Sequence, residues 1–316
     1  MRVLILGVFG QDGTIARELS LNQKAFVIGV SNKKNNKLVS SYSLNEKYID
    51  VVADFANPVL AFKVLNEHKP DRILNFATAH ESSENMGNYE KKFRKIIYNT
   101  NYKINANILE WLKYNKSTRY VMALSSQMYT PKQKITSINE ESMLNPQNYY
   151  GETKKMAFEL IKQYRQQFDV YAAGAILFNH TSRFSKEKFL FQQLSLQISK
   201  LIDFKGNTIK IRDFESLIDI TSADEIVNGI YASLELSSPE DFVFASGKLT
   251  KISDLTIVTL NNLGLSSERI TLLSSNPQKQ KFTLEGIPYK AETILNWKHP
   301  TDPSQILLDM VLHKNG

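Results

Sequence analysis

A strand that ends in a glycine-rich loop and runs directly into a helix constrains this chain more than any other feature. Residues 3–6 read as a short apolar strand, Gly7-Val8-Phe9-Gly10-Gln11-Asp12-Gly13 follows, and residues 14–21 read as the helix that the loop opens. Glycines let the backbone turn tightly and approach a pyrophosphate, whose charge is favoured at a helix N-terminus. An ordinary tight turn needs the glycines but not this strand-loop-helix context. The context predicts a dinucleotide site with Gly7, Gly10, Gln11, Asp12 and Gly13 as contacts.

Apolar runs at 3–6, 25–30, 48–53, 72–76, 120–124 and 171–177 alternate with amphipathic stretches at 14–21, 58–68, 93–114 and 150–168. Nearly continuous apolar strands separated by helices predict a parallel sheet covered on both faces. The expected fold class is therefore α/β, a Rossmann-type doubly wound parallel sheet. Residues 241–245 offer one more strand, whereas 179–212 and 248–316 break the alternation. These last segments are expected to form a smaller α+β cap over the carboxyl ends of the strands, where such folds bind ligands. The expected division is 1–178 with 213–247 for the dinucleotide-binding domain and 179–212 with 248–316 for the substrate-binding cap. A length of 316 residues suits two domains at about 150 residues each.

Bulk composition narrows the class further. There is no run of about 18 apolar residues, so no membrane span is expected, and Gly7 interrupts the first apolar run too early for a signal peptide. The absence of Cys excludes disulfides and thiolate metal sites and fits a cytoplasmic protein without a metal. The net charge is +7, with basic residues scattered apart from short clusters such as Lys91-Lys92-Phe93-Arg94-Lys95. No nucleic-acid motif accompanies the charge, so no nucleic-acid partner is expected. A polyanionic small substrate such as a nucleotide diphosphate accounts for a basic excess near a cleft.

The chemistry is carried by Ser125, Tyr150 and Lys154. One helical turn separates Tyr150 from Lys154, so the two share a face. The ammonium is expected to favour the phenolate and lower the Tyr150 pKa from its ordinary value of about 10. A hydroxyl, a phenol and an ammonium in this order can take a proton from an alcohol while a nicotinamide takes the hydride. Asp54 and Phe55 follow the third strand; Asp54 can accept from an adenine amine or cap a helix. Ala77 marks a strand end meeting the cofactor. The second strand ends in Ser31-Asn32-Lys33, with no acidic residue for a ribose 2′-hydroxyl. Asn32 and Lys33 suit a hydroxyl or a phosphate; with no Arg in that loop, NAD is favoured and NADP is not excluded.

These residues resemble the extended short-chain dehydrogenase/reductase family, and within it the GDP-mannose 4,6-dehydratase group. Gly7 to Gly13 looks like that group's Gly-x-x-Gly-Gln-Asp-Gly loop, and Leu177-Phe178-Asn179-His180 is similar to its Leu-Phe-Asn-His. Gly206-Asn207 with Arg212-Asp213-Phe214, and Lys290-Ala291, Leu295, Trp297-Lys298 and Pro300, resemble later stretches of the group. Asn101, Asn107, Leu109 and Glu110 fit its long helix. The resemblance implies Ser125 as the catalytic hydroxyl, Tyr150 as base, Lys154 as its partner and ligand of the nicotinamide ribose, and Asn101 as a further cofactor contact. It also implies Ser126, Gln127, Asn179 and Arg212 as substrate contacts, with Arg212 gripping a diphosphate; a guanidinium suits that anion better than an ammonium does. It implies a homodimer or tetramer built on the helices at 93–114 and 150–168, and a role in surface polysaccharide biosynthesis.

Three positions depart from the group. Gln127 stands where its dehydratases carry Glu, Phe189-Leu190-Phe191-Gln192 lacks an expected Arg, and Asn276-Pro277-Gln278-Lys279 lacks another. Dehydration needs a carboxylate to take the C5 proton and a carboxylic acid to protonate the leaving C6 hydroxyl. An amide does neither, whereas C4 oxidation needs only Ser125, Tyr150 and Lys154. The expected activity is therefore NAD(P)-dependent C4 oxidation of a GDP-linked manno-configured sugar, hexose or heptose, stopping at the 4-keto sugar. The alternatives are 4,6-dehydration, 4-keto reduction, 4-epimerisation and a non-enzymatic dinucleotide sensor on the same scaffold.

Overall fold

The computed structural model describes residues 1–32, 47–79, 91–203, 206–277, 282–299 and 301–315. The chain forms two compact units: Met1–Thr130, Met143–Ile176 and Val227–Phe242 make the first, and Pro131–Ser142, Leu177–Ile226 and Val243–Gly316 the second.

A seven-stranded sheet organises the first unit. It contains β1 (Arg2–Leu6), β2 (Phe26–Ser31), β3 (Tyr48–Val52), β4 (Arg72–Asn75), β5 (Arg119–Ala123), β7 (Ala172–Leu177) and β11 (Phe242–Phe244), in the order β11-β7-β5-β4-β1-β2-β3. Every pair from β3 across to β7 is parallel. Val3, Leu4 and Ile5 of β1 and Ile73 and Leu74 of β4 are wholly buried, as strands covered on both faces must be. From β1 the chain lays β2 and β3 to one side and then crosses over to β4, β5 and β7. That reversal of order beside β1 opens a crevice at the strands' carboxyl ends, the place where doubly wound sheets take ligands. The fold class expected from the alternation is the one observed.

Helices α1 (Gln11–Asn22), α2 (Pro58–His68), α3 (Lys91–Tyr98), α4 (Ile104–Leu112) and α5 (Tyr149–Phe168) belong to this unit. Pro58 opens α2 where a missing N–H costs nothing, and the Asn57 side chain accepts from the N–H groups of Val59 and Leu60. The single helix expected over 93–114 is instead broken by a π-helical turn at Asn99–Lys103. The extra residue of that turn carries Asn101, which is drawn inward to bond Ala79 and Thr153.

The second unit holds three small sheets. β8 (Asn179–Thr181), β10 (Leu217–Ser222) and β12 (Leu249–Lys251) form one; β9 (Thr208–Ile211) pairs with β13 (Thr271–Ser274), and β6 (Ile135–Ile138) with β14 (Thr283–Gly286). Helices α6 (Leu190–Ile202), α8 (Ile252–Asn262) and α10 (Pro303–Asn315) close on a core that includes Phe191, Leu194, Ile198, Leu255 and Leu307. α7 (Ala223–Ser233) and α9 (Tyr289–Ile294) complete the set. Residues 131–142 and 213–226 group here rather than with the dinucleotide-binding portion expected for them, because β6 pairs with β14 and β10 with β8 and β12. Among the described residues no helix is long and apolar enough to cross a membrane, and no cluster of His, Cys, Asp or Glu can hold a metal ion.

A half-buried ion pair ties α5 to the sheet. Arg165 donates Nη1 and Nη2 to the two carboxylate oxygens of Asp241 at 3.0 and 2.7 Å, and the Gly174 N–H of β7 donates to the same carboxylate at 2.8 Å. Asp241→Ala removes the acceptor of the buried Gly174 N–H and the partner of the partly solvated Arg165, and is expected to lower unfolding free energy by about 2 kcal/mol, read as a fall in the urea midpoint.

Candidate active site

The site is assembled where β5 ends and α5 begins. The chain leaves β5 at Ala123 and turns through Ser125 into a short helical turn, Ser126–Met128, with Ser125 Oγ accepting the Gln127 N–H at 3.2 Å. Asn148 caps α5, its Oδ1 accepting the Gly151 N–H at 2.8 Å. A Cβ on Gly151 would stand 2.2 Å from the Gln127 carbonyl oxygen, so only glycine lets the first turn of α5 come this close. The approach brings Tyr150 to the strand end, beside the side chains of Thr78 and Ser125. One turn further on, Lys154 is 1% exposed; its Nζ donates to the Ala123 carbonyl at 2.8 Å and lies 5.9 Å from the centroid of the Tyr150 ring.

Burial dominates the electrostatics. It pushes the Tyr150 phenol above its ordinary value, while the bonds to Thr78 and Ser125 pull it back and the Asp12 carboxylate adds a smaller upward push. Sequence reasoning expected the Lys154 ammonium to lower this pKa. In the structure burial raises it instead, and burial also pushes Lys154 itself down to about 7.

Gln127 is exposed, and its side chain is hydrogen-bonded to the start of α5. Its Oε1 accepts from Asn148 Nδ2 at 3.0 Å. Because Asn148 Oδ1 is already committed to the α5 cap, its amide can only donate to Gln127, and Gln127 must answer with its oxygen. Ser126 is half-buried in the same turn.

On the loop after β1, Gly7 takes φ +76° and its N–H donates to Val30 O at 3.2 Å, a left-handed conformation that favours glycine. Gly10 is the N-cap of α1 and brings no side chain to it, with Gln11, Asp12 and Gly13 forming the first turn. Backbone N–H groups at such a terminus suit a pyrophosphate, so this loop, set at the switch in strand order, fits a dinucleotide. Ala77 follows β4, with its N–H on Asn75 Oδ1 at 3.1 Å. Asn32 is exposed just after β2, and Lys33 lies outside the described residues.

The side chains of three expected cofactor residues are placed as follows. Phe55 is 1% exposed and its side chain belongs to the core. Asp54 is exposed and accepts the Ala56 N–H at 2.9 Å; the helix cap considered for it is Asn57 instead. Asn101 is wholly buried, with Nδ2 donating to Ala79 O and Thr153 Oγ1 and Oδ1 accepting from Ala79 N and Thr78 Oγ1. Both donor positions and both lone pairs are thus used within the protein, and Asn101 shapes the backbone rather than reaching a cofactor.

In the second unit, Asn179 is exposed on β8 with Nδ2 donating to Asp219 O at 3.1 Å, and Arg212 is exposed just past β9. Gln278 and Lys279 lie outside the described residues. Sequence reasoning missed Thr78 and Asn148. The available signals were a hydroxyl just past the fourth strand and a capping residue two positions before Tyr150.

A buried Tyr-Lys pair beside a serine, on a doubly wound sheet with a glycine loop at its switch point, defines a short-chain dehydrogenase/reductase. Residues 4–310 match the model of the GDP-mannose 4,6 dehydratase family, and the chain belongs to that family. It is 22% identical to GDP-mannose 4,6-dehydratase of Sinorhizobium fredii (strain HH103), over 98% of this chain and 95% of that one. Among solved structures it is similar to the dTDP-glucose 4,6-dehydratase of Bacillus anthracis in complex with NAD, with a TM-score of 0.83 and 17% identity over 100% of this chain and 97% of the other. It is also similar to the UDP-glucose 4-epimerase of Thermotoga maritima, with a TM-score of 0.82 and 15% identity over 100% and 99%. At these identities the structural likeness is one of fold. The protein is an enzyme of a family that modifies nucleotide sugars.

The depressed Lys154 pKa carries a testable sign. The unfolded chain holds that proton up to the ordinary lysine value, the folded one only to about 7. A buried charge therefore costs stability below about pH 7, and the cost fades as pH rises towards the unfolded value. Relative to Lys154→Met, the wild type should gain stability between about pH 6 and about pH 9.5, measured by urea unfolding at both.

Proposed function

We propose that the protein oxidises the C4 hydroxyl of a GDP-linked manno-configured sugar, a hexose or a heptose, to the 4-keto sugar without dehydration. Tyr150 as phenolate accepts the C4 hydroxyl proton, Ser125 hydrogen-bonds the same oxygen, and Lys154 keeps positive charge beside the phenolate. A bound nicotinamide, NAD or NADP, supplies the hydride acceptor. The observation that carries the reading is the carboxamide of Gln127, held by Asn148 beside the catalytic serine. It can donate a hydrogen bond to a sugar hydroxyl but cannot accept the C5 proton that elimination releases. Asn179 and Arg212 are assigned to the nucleotide sugar's diphosphate.

Dehydration is the second reading. The family match favours it, and Asp12 is a carboxylate close enough to Tyr150 to push the phenol's pKa up. The present proposal leaves Asp12 on the cofactor loop, in the first turn of α1. The two readings differ in redox balance. A dehydratase returns its hydride to C6, whereas an oxidation that stops at C4 leaves reduced nicotinamide behind.

Incubation with GDP-sugars and excess oxidised cofactor should therefore give near-ultraviolet absorbance rising in step with keto sugar. Tyr150→Phe should cut the rate by at least on the order of 10²–10⁴. Gln127→Glu keeps an acceptor for Asn148 and adds the missing base, so it should begin to yield 6-deoxy product. Keto sugar formed by the wild type with no accumulation of reduced cofactor would refute the proposal.

A further inference from the structure

Asn148 carries more than its cap requires. A helix N-cap calls for one acceptor, and Asp, Ser and Asn supply it about equally well. Asn148 Oδ1 meets that need by accepting the Gly151 N–H at 2.8 Å. Of the three residue types, only Asn adds an NH2 group, and here Nδ2 donates to Gln127 Oε1 at 3.0 Å. The backbone on both sides builds this contact. The Asn145 N–H donates to the Met128 carbonyl at 2.9 Å, and the Thr130 hydroxyl donates to the Asn145 carbonyl. At the other end, Gly151 packs so closely on the Gln127 carbonyl oxygen that a Cβ would stand 2.2 Å from it. Residues 145–151 are thus laced to the turn at 125–130 on either side of Asn148.

A carboxamide has two unlike ends, an acceptor oxygen and a donor NH2. The Gly151 N–H settles the direction of the Asn148 amide, and that amide in turn engages Gln127 by its oxygen. We propose that Asn148 is a positioning residue that sets the polarity of residue 127: it engages the amide oxygen and so gives the NH2 end to the sugar. Residue 127 then meets the substrate as a donor. The site takes a sugar that turns an oxygen towards it and refuses one that turns an ammonium there, since neither group then offers a lone pair. This rests on the reading that places the sugar beside Gln127.

A double-mutant cycle separates this role from that of the cap. Asn148→Ser keeps a capping oxygen and removes the NH2 group; Gln127→Ala removes the amide that Asn148 directs. With GDP-mannose and a GDP-linked manno-heptose as probes, each single change should lower kcat/KM for the sugar that turns over by about tenfold. The double variant should also stand about tenfold below wild type, because Asn148 acts only through Gln127. Losses that multiply to about a hundredfold, or an Asn148→Ser protein as efficient as wild type, would overturn the proposal.

A second readout needs neither turnover nor sugar. The side-chain NH2 resonances of Gln127 in a proton–nitrogen correlation spectrum are identified by their loss in Gln127→Ala. Asn148→Asp keeps the cap and puts an acceptor where the donor stood, so the Gln127 amide must turn round and donate to the new carboxylate. Its NH2 protons should move downfield in Asn148→Asp and not in Asn148→Ser. Resonances that stay at the wild-type position in Asn148→Asp would overturn the proposal. If the amide turns round as expected and neither GDP-sugar is oxidised, the proposed function falls and the polarity set by Asn148 stands.

Discussion

The site depends on burying the Lys154 ammonium against the last carbonyl of β5. That hydrogen bond, from Nζ to Ala123 O, fixes the first turns of α5 onto the strand end, and the Gly151–Gln127 contact allows the approach. The price is visible in the ammonium itself, which burial pushes down to about 7. A lysine in such a place has little reason to exist for stability alone, since burying its charge without a carboxylate is costly. Its position one turn below Tyr150 fits the proposed reading of a cation beside a phenol that loses its proton.

Around this anchor, the remaining groups are arranged by hydrogen-bond accounting. Tyr150 stands beside hydroxyl side chains that follow two different strands. Asn101, in a π-helical turn, is fully occupied and holds the strand end that carries Thr78. Asn148 serves twice, capping α5 with its oxygen and orienting Gln127 with its nitrogen. Asn148 thus ties the exposed Gln127 side chain to the start of α5. The Gln127 amide occupies the position from which the resemblance implies that a carboxylate would move protons.

Much of this was legible in the sequence. The apolar strands of the central sheet show as uninterrupted runs because both faces are covered, and their ends fall within a residue or two of the expected limits. The glycine loop and the Tyr150–Lys154 spacing identify themselves by local geometry. What escaped was non-local. Nothing near Asn101 announces that it bonds Ala79 and Thr153, so the helix was expected to run unbroken through it. Phe55 resembles a cofactor contact by position, and only the packed core shows it buried. Thr78 and Asn148 gain meaning from partners dozens of residues away or from a second role. Residues 131–142 could not be assigned to the second unit before the pairing of β6 with β14 was known.

The central claim is that this site abstracts a hydride and a proton at C4 and then stops, because the group beside the sugar is an amide. The most direct test is nuclear magnetic resonance of the sugar released from a GDP-sugar substrate after complete turnover. The account predicts a ketone at C4 with the C6 carbon still bearing its hydroxyl. A product with a deoxygenated C6 would contradict it.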